Sequence, residues 1–288
     1  MPLSAWLFSF ASAILFALGL NVSRLAMNHI SSALGSMISI PTACVLFWLS
    51  SPFTADFSGW RNDAALLFAL TGLFYPAAIT IITFEATRIL GPNVTSALAN
   101  LTPLYAVFAG ILFLGETLHV PQYAGIALLM LGVTVLTTKR DMGGGNWPLW
   151  AIVLPLSASL LRGLGQPLLK VGFTWWNNPR VATLLCYASS ATVVIIVGLL
   201  RKRATAARFT PKGVAWFMFV GVLNGLATWA GIEAVARGPV SLVVPVVASY
   251  PLFTLLIGLA MTPGTRVGWA QAAGVILSVA GVIVVLAA

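Results

Sequence analysis

Arg162 lies about two thirds of the way along an apolar segment running from residue 148 to 170, with Gln166 one helical turn further on. A guanidinium at that depth in a membrane is expensive unless it faces a cavity or a partner, so it points to a functional site. Its planar fork of donors matches a substrate carboxylate, so the chemistry is recognition of an anionic group rather than bond making. The competing reading is an arginine satisfied by carbonyls near Pro167 or reaching for the interface. Ser12 and Asn21 in the first apolar segment, Tyr75 in the third, Asn100 in the fourth, Asn224 and Trp229 in the eighth, and Ser249 and Tyr250 in the ninth are further interior candidates. Taken singly, such side chains more often hold membrane helices together than contact a ligand. Internal repetition of the chain sets Gln166 against Asn21 and Arg162 against Ala17, so a pocket built from these residues would be lopsided, as orienting an asymmetric molecule requires.

The inventory for catalysis is thin. The two histidines, His29 and His119, fall in loops or at segment ends, and the sequence carries neither HExxH nor paired interior carboxylates. No metal centre, cofactor or enzyme activity is expected from it. A phosphate-cradling GxxxxGK[ST] loop is also absent, which argues against ATP-driven pumping by this chain. Cys44 and Cys186 lie inside segments two and seven without a CxxC pattern and read as buried structural thiols. Glu85 with Arg88, three apart, and Glu233 with Arg237, four apart, end two equivalent segments and are expected to form ion pairs beside turns, where they could latch a hinge.

The elements that must position these residues are membrane spans. With 59% hydrophobic and 7% charged residues and a mean hydropathy of +0.99, the chain is no soluble domain, where about 25% would be charged. Apolar runs near 5–27, 32–51, 64–86, 92–114, 121–138, 148–170, 181–200, 213–235, 239–261 and 268–287 each approach the length that spans a hydrocarbon core. The first run is read as a retained helix rather than a signal peptide, since its removal would break the repeat. The net charge of +9 resides in membrane-flanking loops, so the expected partners are a small-molecule substrate and the lipid bilayer, with no nucleic acid.

The chain also repeats itself. Phe84-Glu85-Ala86, Gly91-Pro92 and Thr102-Pro103-Leu104 return as Ile232-Glu233-Ala234, Gly238-Pro239 and Tyr250-Pro251-Leu252, with the same spacing from Glu to the last Pro. Gln122, Gly125 and Gly132 answer to Gln271, Gly274 and Gly281 with one residue of slippage. Five segments per copy, an odd number, turn the second copy upside down. The expected fold is therefore all-α and integral to the membrane: ten transmembrane helices as two inverted five-helix repeats around a central cavity, residues 1–140 and 141–288, joined at the Gly-rich linker Lys139–Asn146. Inverted repeats of this kind are the architecture of secondary transporters, with the substrate site between the halves. Two fused halves are compatible with a monomer. Gly91-Pro92 and Gly238-Pro239 read as helix stops and restarts in tight hairpins, and Pro103 and Pro251 as a pair of hinges.

Ten Lys and Arg residues fall on the side opposite both termini and four on the side of the termini, which places the termini outside the cytoplasm. Trp6, Trp60, Trp147, Trp150, Trp175 and Trp176 sit at span ends and read as an interfacial belt.

Gly91-Pro92, the Leu101-Thr102-Pro103-Leu104 kink, the Leu114-Gly115-Glu116 ending and the glycines of the next segment, with their weaker second copy, resemble the ten-helix, EamA-like branch of the drug/metabolite transporter superfamily over the whole chain. The resemblance implies a cavity lined by helices one, three, four, six, eight and nine, with the two Gly-Pro hairpins rocking to alternate access. It implies export of amino acids, aromatic and neutral, or related small metabolites across a bacterial-type inner membrane, with termini in the cytoplasm, against the charge count. Small relatives use a membrane-embedded Glu in the first helix for proton coupling, and this chain has none there. That weakens the alternative of a multidrug or organic-cation exporter; a membrane enzyme is a remote alternative.

Overall fold

The computed structural model describes residues 1–137, 148–200, 210–261 and 268–287, so the linker Lys139–Asn146 lies outside the described residues. The described chain is helical between its turns: α1 (Leu3–Ala26), α2 (Ser32–Thr54), α3 (Asn62–Gly72), a π-helical turn (Leu73–Ala78), α4 (Ile79–Ala99), α5 (Thr102–Leu114), α6 (Val120–Thr137), a 3₁₀ turn (Leu149–Ile152), α7 (Val153–Trp175), α8 (Pro179–Leu200), α9 (Pro211–Arg237), α10 (Val240–Val247), α11 (Tyr250–Met261) and α12 (Trp269–Ala287). Among the described residues, seven stretches are long and apolar enough to cross a bilayer, and three shorter apolar helices, Thr102–Leu114, Val120–Val135 and Ala272–Ala287, stand beside them.

Burial follows the logic of lipid. Leu49, Phe53 and Leu200 are 71%, 89% and 80% exposed. On α1, by contrast, Ala5, Ser9, Ser12, Ala13 and Ala17 are fully buried. That stripe of small residues recurs at helical spacing and lets backbones approach closely, which is how helices associate when lipid and side chains are equally apolar.

The order of contacts along each helix pair reads out direction. Gly125 of α6 packs on Gly281 and Val285 of α12, and Gly132 on Gly274 and Ser278, so these repeat-equivalent helices run antiparallel. Each glycine lies against the backbone of its partner. Ser12 of α1 meets Ala227 of α9 and Gly19 meets Asn224, again antiparallel; α3 and α7 do the same through Phe68 with Gly172 and Tyr75 with Gly165. Gly221 packs on Ser39, and Gly225 on Ala43, so α2 runs parallel to α9. Cys186 donates to the Phe68 carbonyl and Ser190 to that of Gly72, so α8 runs parallel to α3. The pairing of α1 with α9 thus has its inverted counterpart in α7 with α3, and that of α2 with α9 in α8 with α3, as two inverted repeats require.

Two expectations need correction. The hairpin read at Gly91-Pro92 is absent: α4 is helical from Ile79 to Ala99, and the interruptions flank it, at Leu73–Ala78 and at Asn100-Leu101. One internal proline removes a single amide donor, which neighbouring groups in a membrane bundle can make good, whereas Pro103 fits the first turn of α5 without loss. Trp176 is no belt residue either. It is 9% exposed and stacks edge-on against Trp60, with ring centroids 5.3 Å apart.

A Cβ on Gly132 would run into the Ser278 backbone nitrogen. Gly132→Leu is therefore expected to cost about 1–3 kcal/mol through forced separation of α6 and α12. Thermal unfolding in detergent, followed by circular dichroism, checks this; an unchanged melting temperature would contradict the close crossing.

Candidate functional site

Between the halves lies a cavity of about 470 Å³, lined by residues of α1, α2, α4 through α11 and the π-helical turn. Arg162, Gln166, Tyr75, Asn100, Asn224 and Tyr250 all line it, as does Pro103. Segments two, five and seven contribute as well, through Ser39, Met130 and Tyr187, beyond the six helices expected. The cavity reaches the surface at the end opposite the N-terminus, where Met27 at the close of α1 lines it and is 46% exposed.

At its centre α7 presents its polar stripe. Gln166 Nε2 donates to Tyr75 Oη at 3.1 Å, while Gln166 Oε1 is buried without a partner. Arg162 takes part in no ion pair among the described residues. Tyr75 reaches the cavity because the helix is broken around it: its backbone, at φ −118 and ψ 109, leaves helical geometry just ahead of Pro76. Opposite, Phe16 and Tyr250 pair at 6.2 Å between ring centroids, and Tyr187 Oη donates to Thr228 Oγ1 at 3.1 Å. The result is an apolar vault with a few convergent donors and acceptors, the composition of a small-molecule site.

Four candidates do not line it. Ser12 donates to the Ala227 carbonyl at 2.7 Å, and Asn21 Nδ2 donates to the carbonyls of Ala17 at 3.0 Å and Thr254 at 3.1 Å. Ser249 is fully buried and returns its proton to the Val246 carbonyl at 2.6 Å. Trp229 points to the opposite end, where Nε1 donates to Glu233 Oε1 at 3.1 Å. All four are internal fastenings, three on open carbonyls and Trp229 on a carboxylate, as polar side chains in a membrane bundle often are.

At that opposite end charged side chains gather around Glu233. Glu233 is 2% exposed and pairs with Arg237, with Arg180 Nε at 4.0 Å. The Arg237 guanidinium sits 4.6 Å above the centroid of the Phe8 ring. Next to it, Lys170 Nζ donates to the carbonyls of Val235 at 2.8 Å and Gly238 at 2.9 Å. Glu116, from the end of α5, accepts from the amides of Val240 at 2.7 Å and Ser241 at 2.8 Å. The Gly238-Pro239 turn is thus gripped from both sides, with an anion at the helix N-terminus where the dipole favours it. Lys170 and Glu116 were not among the residues expected to act. The Leu-Gly-Glu ending was the one signal: Gly115, at φ 66, turns the chain so that Glu116 can reach across. In the first half, Glu85 is half-buried on α4, and Arg88 lies outside the described side chains.

The model of the EamA-like transporter family matches residues 3–138 and 149–287. The chain belongs to the EamA-like transporter family. A probable amino-acid metabolite efflux pump of Escherichia coli (strain K12) is 26% identical over 157 residues, 50% of this chain and 52% of that protein. The chain thus spans about half the length of that curated relative. A protein of known crystal structure shares the fold, with a TM-score of 0.81 over 99% of this chain and 96% of its own at 18% identity.

Removing the Glu116 carboxylate leaves two amides of α10 unanswered, and Glu116→Ala is expected to cost about 2–4 kcal/mol at this end. Hydrogen exchange at Val240 and Ser241 is the measurement, with protection falling there first. Equal protection in both proteins would show that Glu116 does not hold the turn.

Proposed function

We propose that this EamA-like transporter exports small metabolites that carry a carboxylate, amino acids with aromatic or neutral side chains foremost, by alternating access. The observation that carries this reading is Arg162. Among the described residues it is the one charged side chain lining the cavity, and it takes part in no ion pair there. A guanidinium so placed is a receptor for a carboxylate, and the apolar walls around Phe16 and Tyr250 suit a side chain without charge. The similarity to an amino-acid metabolite efflux pump supports the same cargo class. An exporter of organic cations would place a carboxylate in the cavity, and the charge found there has the opposite sign.

Alternating access is supported by the unequal ends. One end admits cargo, while the other is shut by Glu233, Arg237 and Arg180 and by the grip of Lys170 and Glu116 on the Gly238-Pro239 turn. Export requires this lock to release while the opposite mouth closes, with Gly91, Pro92, Pro103 and Pro251 as candidate points of flexure in the rest of the bundle. The distribution of basic loops turns the open end to the cytoplasm, as in a loading state, whereas the family resemblance turns it outward, as in a releasing state.

Counterflow of a labelled amino-acid panel in liposomes tests the cargo. Loss of the charge-assisted pair in Arg162→Ala is expected to reduce transport about ten- to a hundredfold. Movement of organic cations but of no amino acid would overturn the reading. For the lock, Glu233→Gln weakens a buried pair and is expected to raise the rate at which a maleimide labels a cysteine placed at Trp229 from the terminal side. An unchanged rate would show that Glu233 does not hold that end closed.

A further inference from the structure

The polar groups lining the cavity divide by what they can give. Several hydroxyl protons are already spent: that of Ser23 on the Leu20 carbonyl, of Thr80 on Pro76, of Thr102 on Ala99, of Thr228 on Asn224, and of Tyr187 on the Thr228 hydroxyl. Each still carries lone pairs, so acceptors are plentiful and select nothing. The hydroxyls of Ser39, Tyr75 and Tyr250, which also line the cavity, can turn to give or to take. Guanidinium and amide N–H groups can only give. Of these, Gln166 Nε2 is committed to Tyr75 at 3.1 Å, and Asn100 is itself engaged. Arg162 and Asn224 remain as the free obligate donors of the cavity among the described residues.

Asn224 owes its direction to a residue outside the cavity. Gly19 is buried on α1 and does not line the cavity, yet it lies directly under the amide. A Cβ there would run into Asn224 Oδ1, while Nδ2 stands 3.7 Å away. The oxygen rests on a Cα hydrogen of Gly19, a contact that the N–H end could not make, and the nitrogen is left to the cavity. The amide makes no hydrogen bond among the described residues, since Tyr187 and Thr228 both reach the backbone carbonyl of Asn224 instead.

The two donors sit on different walls at similar depth. α7 packs on α5 through Gly163, and α9 on α1 through Asn224. Lys170 of α7 bonds to the Val235 carbonyl of α9. Counting back from those residues to Arg162 and Asn224, at about 1.5 Å per residue, puts the donors within about 5 Å of one level.

We infer that Asn224 is the second point of cargo recognition, with Gly19 as its positioning residue, and that the preferred cargo bears an uncharged oxygen on its side chain as well as a carboxylate. With the carboxylate on Arg162, the far end of the side chain meets Asn224 Nδ2. An apolar group there strips water from the amide and leaves a buried donor unpaired, whereas an oxygen answers it. This rests on the carboxylate reading of Arg162 and narrows it.

The test is counterflow by the full chain in liposomes, with labelled phenylalanine as tracer. The unlabelled competitors come in pairs of similar shape, tyrosine with phenylalanine and glutamine with methionine. In wild type the oxygen-bearing member of at least one pair is expected to compete at about tenfold lower concentration. Asn224→Ala and Gly19→Ala each remove that preference, and combining them raises the concentration required no further, as two changes to one contact should. Gly19→Ala is expected to fold, because its methyl meets the end of a side chain rather than backbone. Should it not, Asn224→Leu decides, and a preference kept in that variant overturns the inference. A preference kept in a folded Gly19→Ala reduces Gly19 to helix packing and overturns its positioning role. No preference in either pair, with transport still lost in Arg162→Ala, overturns the inference and leaves carboxylate recognition standing. Movement of neither labelled phenylalanine nor labelled tyrosine by the wild type counts against both.

Discussion

A bilayer supplies no hydrogen-bond partners, so every place where a helix stops must be answered by protein or must open into a cavity. The second half shows both solutions within a dozen residues. At Gly238-Pro239 the last carbonyls of α9 take the ammonium of Lys170, and the first amides of α10 take the carboxylate of Glu116. The two side chains come from α7 and from the end of α5, so satisfying one turn ties four helices together. A few residues on, the break at Ala248-Ser249 is handled differently: Ala248 lines the cavity, while Ser249 folds back on its own helix. Interruptions are thus either bolted or used.

The inverted repeats divide the contacts into two kinds. The glycine crossings of α6 with α12, and the pairings of α1 with α9 and α3 with α7, join equivalent surfaces by backbone proximity, and no charge need be broken to preserve them. The contacts at the closed end are different, because they are ionic and have no described counterpart at the open end. Where the first half offers Leu114-Gly115-Glu116, the second offers Met261-Thr262-Pro263-Gly264, with no carboxylate to place. The framework is symmetric, then, and the fastening is not, which is the distribution expected when one part persists and another must release.

Spans, their number and their inversion were legible because they depend on quantities a sequence displays directly: apolar length, glycine spacing and the parity of crossings. Arg162 was legible because a cation amid apolar residues has few explanations. The side-chain direction of polar residues was not. Ser12, Asn21 and Ser249 have the composition of pocket residues but spend their donors on carbonyls of neighbouring turns, and which way such a residue faces is set by packing that no periodicity shows. Glu233 and Trp229, four apart on one helix, share a face; that spacing could have sent Trp229 to the ion pair rather than to the cavity. The turn at Gly91-Pro92 was misread because a Gly-Pro pair is compatible with both a stop and a tolerated kink, and the choice fell to the surrounding helices. Lys170 and Glu116 contact backbone atoms distant in sequence, so neither had a sequence partner to reveal it.

The choice of arginine over lysine at position 162 bears on how such a cavity can work. A lysine in an apolar vault can shed its proton when no anion is present, which leaves the empty site neutral. An arginine cannot, so position 162 keeps its charge under all physiological conditions. The closed end is built from the same material: Lys170 and Glu116 bind backbone dipoles, and Arg237 is shared between Glu233 and the face of Phe8. Each of these contacts weakens when water enters, as ionic contacts do when the local dielectric rises. Hydration of that end would therefore weaken all of these contacts together.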